Sequence, residues 1–335
     1  MPWRKTRDPY AIWLSEVILQ QTRVNQGMSY FHAFLERFPT VNDLAAAQQD
    51  DVLETWQGLG YYSRARNLHA TAKQIVNEFN GVFPSRYADL LLLKGIGPYT
   101  AAAISSFAFG EDQAAVDGNV IRVVSRLFSI TEDVRLPKVQ SNIKELAQGL
   151  LPLGQSYTFN QAMMELGATV CTPGKPRCMV CPVVDFCEAH KAGIQATLPV
   201  KSALRARRTR YLNYLLLEFD GALLFKKRGP KDIWEGLYEP LLMESEHSFS
   251  SASEFWQFFP EVEELALEAH FYPVSKHILS HQELRISLLR VVVSKSIFSE
   301  TGIWIPLAEV QALPKPVVFS KILGLKKGTA LPLAF

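Results

Sequence analysis

The stretch Leu93-Lys94-Gly95-Ile96-Gly97-Pro98-Tyr99-Thr100-Ala101 constrains the fold more than any other in this chain. Two glycines two residues apart allow a tight turn and a close approach of backbone to a ligand. Pro98 suits the first position of a helix, and the run through Phe109 continues one. The N–H groups of such a turn and helix start form an anion site that a phosphate fits. A plain connection between two packed helices would read the same way. Downstream, Asp117-Gly118-Asn119 opens another helix carrying Val120, Ile121, Val124, Leu127 and Phe128. Asp117 then stands at or near a helix N-terminus. There it is either an N-cap or a carboxylate kept ionised by the helix end and aimed at whatever carries the phosphate.

Bulk properties bound the rest. A length of 335 residues predicts two domains, each able to bury a core. Hydrophobic content of 48 % with 20 % charge is globular. No apolar run reaches the roughly 18 residues that span a bilayer, and no signal peptide opens the chain. A soluble, intracellular protein with no membrane partner is expected. Residues 1–200 hold 18 Lys+Arg and 18 Asp+Glu, so any nucleic-acid surface must be a local patch.

Residues 1–200 read as helical, with apolar residues at helical spacing and Gly and Pro between segments. Asp8 is a candidate N-cap and Pro9 a first helical residue, for a helix running through Thr22. Glu16 shares a face with Ile12, Trp13 and Leu19. It is either solvated at a helix edge or buried. If buried, desolvation raises its pKa and makes it a general acid. Further segments are Tyr30–Phe38, Val41–Ala47, Val52–Leu59, Ser63–Phe79 and Tyr87–Leu93. Tyr61 and Tyr62, beside Arg64 and Arg66, read as core plus solvated charge, or as a stacking wedge next to phosphate contacts. Two more helices lie between Lys138 and Leu166.

The four cysteines follow as Cys171-x6-Cys178-x2-Cys181-x5-Cys187. Such a compact set makes a four-thiolate site, and the chemistry alone admits zinc or iron. Lys201, Arg205, Arg207, Arg208 and Arg210 crowd the boundary after Leu198-Pro199, either as solvated charge or tracking DNA. Beyond it the pattern changes to strands: Tyr211–Phe219, Ala222–Lys226, Ala269–Tyr272, Leu284–Val293 and Gly302–Pro306. Ser251–Phe259 and Leu307–Ala312 read as helices.

The hairpin with its downstream aspartate resembles the helix-hairpin-helix superfamily of DNA base-excision glycosylases. The whole chain resembles the MutY family, adenine DNA glycosylases that remove adenine mispaired with 8-oxoguanine. The 6-2-5 cysteine spacing is similar to the iron–sulfur loop of that superfamily. Trp234-Glu235-Gly236-Leu237-Tyr238 resembles a Nudix-like segment, without the Arg-Glu-x-x-Glu-Glu box that would bind magnesium.

This resemblance implies an α+β multidomain fold. An all-α helix-hairpin-helix glycosylase domain with an iron–sulfur cluster loop covers 1–197. Within it a six-helix subdomain covers about 23–111, and an iron–sulfur subdomain about 1–22 plus 112–197. A basic linker covers 198–210, and a smaller Nudix-like α/β lesion-recognition domain 211–335. The implied activity is monofunctional hydrolysis of an N-glycosidic bond in base excision repair. It needs two carboxylates and a flipped base.

The resemblance also implies the site. Glu16 protonates adenine at N7, and Asp117 stabilises or transiently bonds C1′. Tyr99 and Asn119 orient this pair, and Gln161 faces the flipped adenine. Gln21, Thr22 and Tyr61 fill or flank the vacated stack, while Gly95 and Gly97 meet the DNA backbone. Leu279, Ser280 and His281 meet 8-oxoguanine, with Leu279 where the family usually has Phe. Cys171, Cys178, Cys181 and Cys187 bind a 4Fe–4S cluster, in a loop that presents Lys175 and Arg177 to phosphates. The endonuclease III type carries a Schiff-base lysine where Tyr99 stands, so strand cleavage is not expected.

The expected partner is double-stranded DNA with adenine opposite 8-oxoguanine or guanine. The protein is expected to act as a monomer in a bacterial-type cytoplasm, associated with the nucleoid. The family carries a helix ahead of its Pro-Trp-Arg segment; this chain opens at Met1-Pro2-Trp3, and loss of that helix is expected to lower stability and activity. Two other readings stand beside this one: a non-catalytic DNA-binding protein of the same fold, which makes Glu16 and Asp117 dispensable, and a nucleotide hydrolase, which the missing carboxylate box disfavours.

Overall fold

A computed structural model describes residues 1–203, 206–298 and 302–322. Arg205, one of the boundary cations, lies outside the described residues. The chain forms two compact units: Met1–Ala47 with Asn67–Leu204, and Gln48–Arg66 with Arg205–Phe335.

In chain order the helices before residue 200 are α1 (Pro9–Ile18), α2 (Val24–Arg37), α3 (Val41–Ala46), α4 (Gln49–Thr55), α5 (Ser63–Phe79), α6 (Tyr87–Leu90), α7 (Pro98–Phe109), α8 (Gly118–Leu127), α9 (Pro137–Gly149), α10 (Ser156–Thr169) and α11 (Glu188–Lys191). Local chemistry starts two of them where expected, whereas α2 begins ahead of the predicted Tyr30. Asp8 caps α1 by accepting from the Tyr10 and Ala11 amides, with Pro9 in the first turn. Gly97-Pro98 starts α7, and Gly110 ends it in the left-handed region at φ 75°.

Helices α1 and α7 pack together at the centre of the first unit. Both are apolar nearly all round, burying Tyr10, Ile12, Trp13, Leu14 and Ile18 from one and Ala101–Phe107 from the other. Helix α8 packs against α10 and α9.

Helix α1 stops earlier than its sequence pattern predicts. The Leu19 amide bonds to Ser15 O, and the Thr22 amide turns back to Leu19 O. Between them Gln21 takes a left-handed φ of 56°. Gln21 and Thr22 therefore sit on a turn, not on the helix. Helix α4 is likewise set earlier than Val52–Leu59, ending at Thr55 before a turn to Gly58.

The second unit carries a mixed seven-stranded sheet: β1 (Arg208–Phe219), β2 (Ala222–Lys227), β3 (Tyr238–Glu239), β4 (Leu241–Ser245), β5 (Ala266–Ile278), β6 (Gln282–Val293) and β7 (Ile303–Pro306). The main path runs β3-β2-β1-β6-β5, with β4 on β1 and β7 on β2. Strands β1 and β6 are parallel, aligning Arg210 with Leu284 and Leu217 with Val291. Strands β5 and β6 form an antiparallel hairpin joined by the turn Leu279–Gln282. Helices α12 (Ala252–Trp256) and α13 (Pro260–Leu265) pack Phe255 and Val262 onto Leu215, Leu217, Leu289 and Val291. A last helix, α14, covers Val317–Ile322.

Four expectations change here. The helix expected over Ser251–Phe259 is shorter, Ala252–Trp256, and the chain leaves the helical path before Pro260 starts another. Strands β3 and β4, on either side of Pro240, carry no clear alternation. Strand β5 is longer than Ala269–Tyr272; its mostly exposed side chains and a register shift between Tyr272 and Ser275 hide the period. Leu307–Ala312 is a series of turns. The buried Lys315 ammonium donates to Val310 O, Gln311 O and Leu313 O, and so satisfies carbonyls at the end of these turns. Among the described residues no helix is long and apolar enough to cross a membrane.

Candidate active site

Glu16 projects from α1 and receives a hydrogen bond from the Tyr99 hydroxyl of α7, 2.5 Å from its Oε2. Burial pushes the Glu16 carboxyl up to about 7, against the lowering effect of the Tyr99 bond; the Asp117 charge pushes it further up and Arg4 pulls it down. Glu16 is half-buried by its surface, and its carboxyl is desolvated enough to favour the buried reading over the solvated one. Burial and the neighbouring Glu16 hold the Tyr99 phenol well above its usual range, so it stays a donor at neutral pH. With Oε2 accepting from Tyr99, Oε1 is free to carry a proton to another molecule.

Asp117 is the N-cap of α8. Its Oδ1 accepts from the Asn119 and Val120 amides at 2.8 and 2.7 Å, and its Oδ2 accepts from Asn119 Nδ2 at 2.9 Å. Burial raises its pKa, and these bonds oppose the rise. The cap reading of Asp117 holds, and the bonds that make it a cap also favour its charge. Burial outweighs them, so its carboxyl lies above the ordinary value.

Behind Asn119 stands Arg122, which no motif in the sequence singles out. Its guanidinium donates to Asn119 Oδ1 at 2.8 Å, Gly167 O at 2.7 Å and Cys171 O at 2.7 Å. It joins the start of α8 to the cysteine loop. Gly167 of α10 makes this possible: a Cβ there would lie 2.6 Å from the Asn119 Cβ and 3.1 Å from its backbone. The only signal in the sequence is an arginine within an otherwise apolar helix run.

The hairpin glycines differ in what they do. Gly95 has φ 77°, and a Cβ would meet the Asn67 side chain at 2.7 Å. Gly97 has an ordinary φ of −91° as the cap of α7, with open space at its Cβ. Turn geometry therefore requires Gly95, and Gly97 leaves the helix start unobstructed. Gln161 lies on α10, and its buried Oε1 has no hydrogen-bond partner among the described residues. Gln21 is exposed on the turn after α1, and Thr22 is half-buried.

The four cysteines are free of disulfides and line one cavity with Arg126 and His190. Arg126 is buried and donates to Cys171 Sγ at 3.3 Å and to Thr172 O and Leu198 O. A buried cation facing thiolates suits an anionic cluster. Among the described residues no three His, Cys, Asp or Glu side chains are placed to hold a single metal ion. Four cysteines around one cavity are the donor set that would hold an iron–sulfur cluster. Arg177 is exposed but turned back onto Thr169 O.

In the second unit a groove of about 620 Å³ is lined by Gly58–Ser63, Lys231–Glu235 and His277–Gln282. It brings together Tyr61, Leu279, Ser280 and His281. Tyr62 is buried, whereas Tyr61 is 46 % exposed with a left-handed φ of 48°. The Arg64 guanidinium lies over the rings of Trp56 and Tyr61. The adjacent tyrosines thus divide into one core and one surface residue. Leu279 N donates to Gln282 O at 2.9 Å, closing the turn that exposes Ser280 and His281. Arg210, grouped with the boundary cations in the sequence, is instead buried in strand β1 and ion-paired to Asp232 and Glu244, so no phosphate reaches it.

Comparisons with known proteins match these parts. Residues 14–149 match the HhH-GPD superfamily base excision DNA repair protein, residues 171–187 the iron–sulfur binding domain of endonuclease III, and residues 213–325 a NUDIX domain. The adenine DNA glycosylase of Buchnera aphidicola subsp. Baizongia pistaciae is 31 % identical over 328 residues, 96 % of this chain and 91 % of its own. That of Homo sapiens is 44 % identical over 214 residues, 61 % of this chain and 39 % of its own. A solved thermostable thymine-DNA glycosylase is 31 % identical with a TM-score of 0.53, over 57 % of this chain and 88 % of its own. A trapped endonuclease III–DNA covalent intermediate, 23 % identical with a TM-score of 0.50 over 56 % of this chain and 87 % of its own, shares the fold. The chain belongs to the adenine DNA glycosylase family: it is a base-excision DNA glycosylase with a helix-hairpin-helix unit, a 4Fe–4S cluster loop and a Nudix-like C-terminal part.

Proposed function

We propose that this enzyme removes adenine from duplex DNA where it is mispaired with 8-oxoguanine or guanine, and that it acts as a monomer. The observation that carries the proposal is the Glu16–Tyr99 pair. Its carboxyl is pushed up to about 7, so a large share of it keeps a proton at neutral pH, and one oxygen is left to deliver it. The curated relatives named adenine DNA glycosylase support adenine as the base removed.

In this reading Glu16 protonates N7 of the flipped adenine and makes it a leaving group. Asp117 carries the negative charge that stabilises the oxocarbenium-like sugar, or bonds its C1′ transiently, while water completes hydrolysis. Asn119 holds Asp117 through Nδ2 and is itself held by Arg122. The unpartnered Oε1 of Gln161 accepts from the adenine amino group, the donor that guanine lacks at that position. Gly95 and Gly97 let the hairpin approach a phosphate, and Gln21, Thr22 and Tyr61 meet the gap left in the stack. The opposite base meets Leu279, Ser280 and His281. A serine or backbone oxygen accepting from N7–H of 8-oxoguanine separates it from guanine, whose N7 can only accept. Cys171, Cys178, Cys181 and Cys187 hold the cluster, which cross-links the loop when bound.

Tyr99 offers no amine, so the reaction ends at an abasic site. Incubation with duplexes carrying adenine opposite 8-oxoguanine, with and without later alkali, tests this. Strand breaks should need the alkali, and borohydride should trap little protein on DNA. Nicking without alkali, together with stoichiometric trapping, would contradict it.

A further inference from the structure

The loop between Arg228 and Leu237 forms one wall of the groove in the second unit, and it is unusually held. Its neck is closed by backbone bonds from Arg228 N to Leu237 O and from Gly236 N to Arg228 O. Within it Lys231 and Trp234 both take left-handed φ, 68° and 60°. Non-glycine residues in that region cost free energy and persist only where their surroundings over-determine them. Asp232, between the two, supplies the restraint. Its Oδ1 accepts from Arg210 at 2.6 Å and from the Ile233 amide at 2.7 Å. Its Oδ2 accepts from Arg210 at 2.8 Å and from Arg228 at 2.5 Å.

The two arginines extend the restraint outward. Arg228 pairs with the buried Glu239, which also accepts from Tyr214. Arg210 forks onto Glu244 of β4 and reaches Gln282 Oε1 in the turn on the opposite wall. The neighbouring Arg208 amide donates to His281 O of the same turn. Across the groove the Trp234 ring packs on His277. Network and ring contact therefore tie the wall at 231–235 to the wall at 277–282.

Buried ion pairs are a weak source of stability compared with apolar packing, and their best-attested use is to fix one arrangement over others. Arg210 and Arg228 are nearly inaccessible, with 8 % and 6 % of their side chains exposed. Two such residues on one loop carboxylate suit the task of setting a distance between two walls. We propose that Asp232 is a positioning residue for base discrimination: through Arg210 and Arg228 it fixes loop 231–235 against the Leu279–Gln282 turn, so that the groove accepts the base opposite the adenine in one pose. This rests on the reading of the groove given above.

The test uses the full chain, with Asp232→Ala, Asp232→Asn and Arg210→Lys. Single-turnover adenine release is measured on duplexes with adenine opposite 8-oxoguanine and opposite guanine at equal salt, beside thermal unfolding of each variant. Wild type should prefer 8-oxoguanine. Asp232→Ala should reduce that preference about tenfold, the loss of one well-placed base contact, and Asp232→Asn should reduce it less. A merely structural role would lower both rates together and leave their ratio unchanged. If Asp232→Ala fails to fold, Arg210→Lys keeps the charge, loses the fork, and should lower the ratio in the same direction. An unchanged ratio in every folded variant would overturn the proposal. Equal wild-type rates on the two duplexes would instead overturn the reading of the groove, and the role of Asp232 with it.

Discussion

In the proposed mechanism Glu16 acts as an acid only while it holds its proton, and that proton also bears on stability. Its folded pKa of about 7 lies above the ordinary carboxylate value. Below the ordinary value the group is neutral folded or unfolded, and burial costs nothing. As pH rises toward 7 the unfolded chain releases a proton that the folded chain keeps, so wild type loses stability across that window. Glu16→Gln should therefore gain thermal stability relative to wild type between about pH 4.5 and 7. Adenine release by wild type should fall as pH rises through about 7, and the substitution should lower release about 100- to 10,000-fold. Melting curves and single-turnover rates over that range check both. A surface carboxylate would already be ionised well below neutral pH and would give no such fall. A wild-type rate that stays flat as pH rises from about 6 to 9 would therefore remove Glu16 as the acid. Sequence alone places Glu16 on an apolar face. Whether it is buried depends on Tyr99, 83 residues away, which no local pattern reveals.

At the scale of elements, starts are more legible than ends or partners. The caps Asp8 and Asp117 and the prolines after Asp8 and Gly97 act within their own first turns, so the residues alone locate them. The end of α1 is hidden because Gln21 takes a left-handed conformation without being glycine. Leu307–Ala312 forms turns although its residues suit a helix, and Lys315 beyond it satisfies the carbonyls at its end. Gly167 carries no local signal and Arg122 only its charge in an apolar run, because each matters through a neighbour on another segment. Gly167→Ala tests that contact. The new methyl group meets Asn119 backbone as well as its Cβ, so α10 or the start of α8 must shift. The substitution should cost about 1–3 kcal/mol of stability and slow adenine release by displacing Asn119 from Asp117. A variant with wild-type melting and turnover would show that the close approach has slack.

For the whole molecule, two changes of pattern are readable: the switch from helical to strand periodicity after residue 210, and the cysteine spacing. Membership of Gln48–Arg66 in the same compact unit as the C-terminal segment is not, because it rests on contacts such as Lys227–Asp50 and Arg66–Glu235 between distant positions. Those contacts place Tyr61 in the groove that carries Ser280 and His281. Replacing Ser280 and His281 together by alanine should lower the preference for adenine opposite 8-oxoguanine over adenine opposite guanine while adenine excision persists. Rates on the two duplexes at equal salt decide it, and an unchanged ratio would move recognition of the opposite base to other residues.

In the proposed reaction two carboxylates on separate helices, one protonated and one charged, break the bond between adenine and its sugar. The most direct measurement is single-turnover release of adenine from an adenine–8-oxoguanine duplex by wild type and Asp117→Asn, with duplex binding measured alongside. Asparagine keeps the shape of Asp117 and removes the charge proposed to face the sugar. Binding should stay close to wild type and release should be nearly abolished. Binding and release both close to wild type would contradict it.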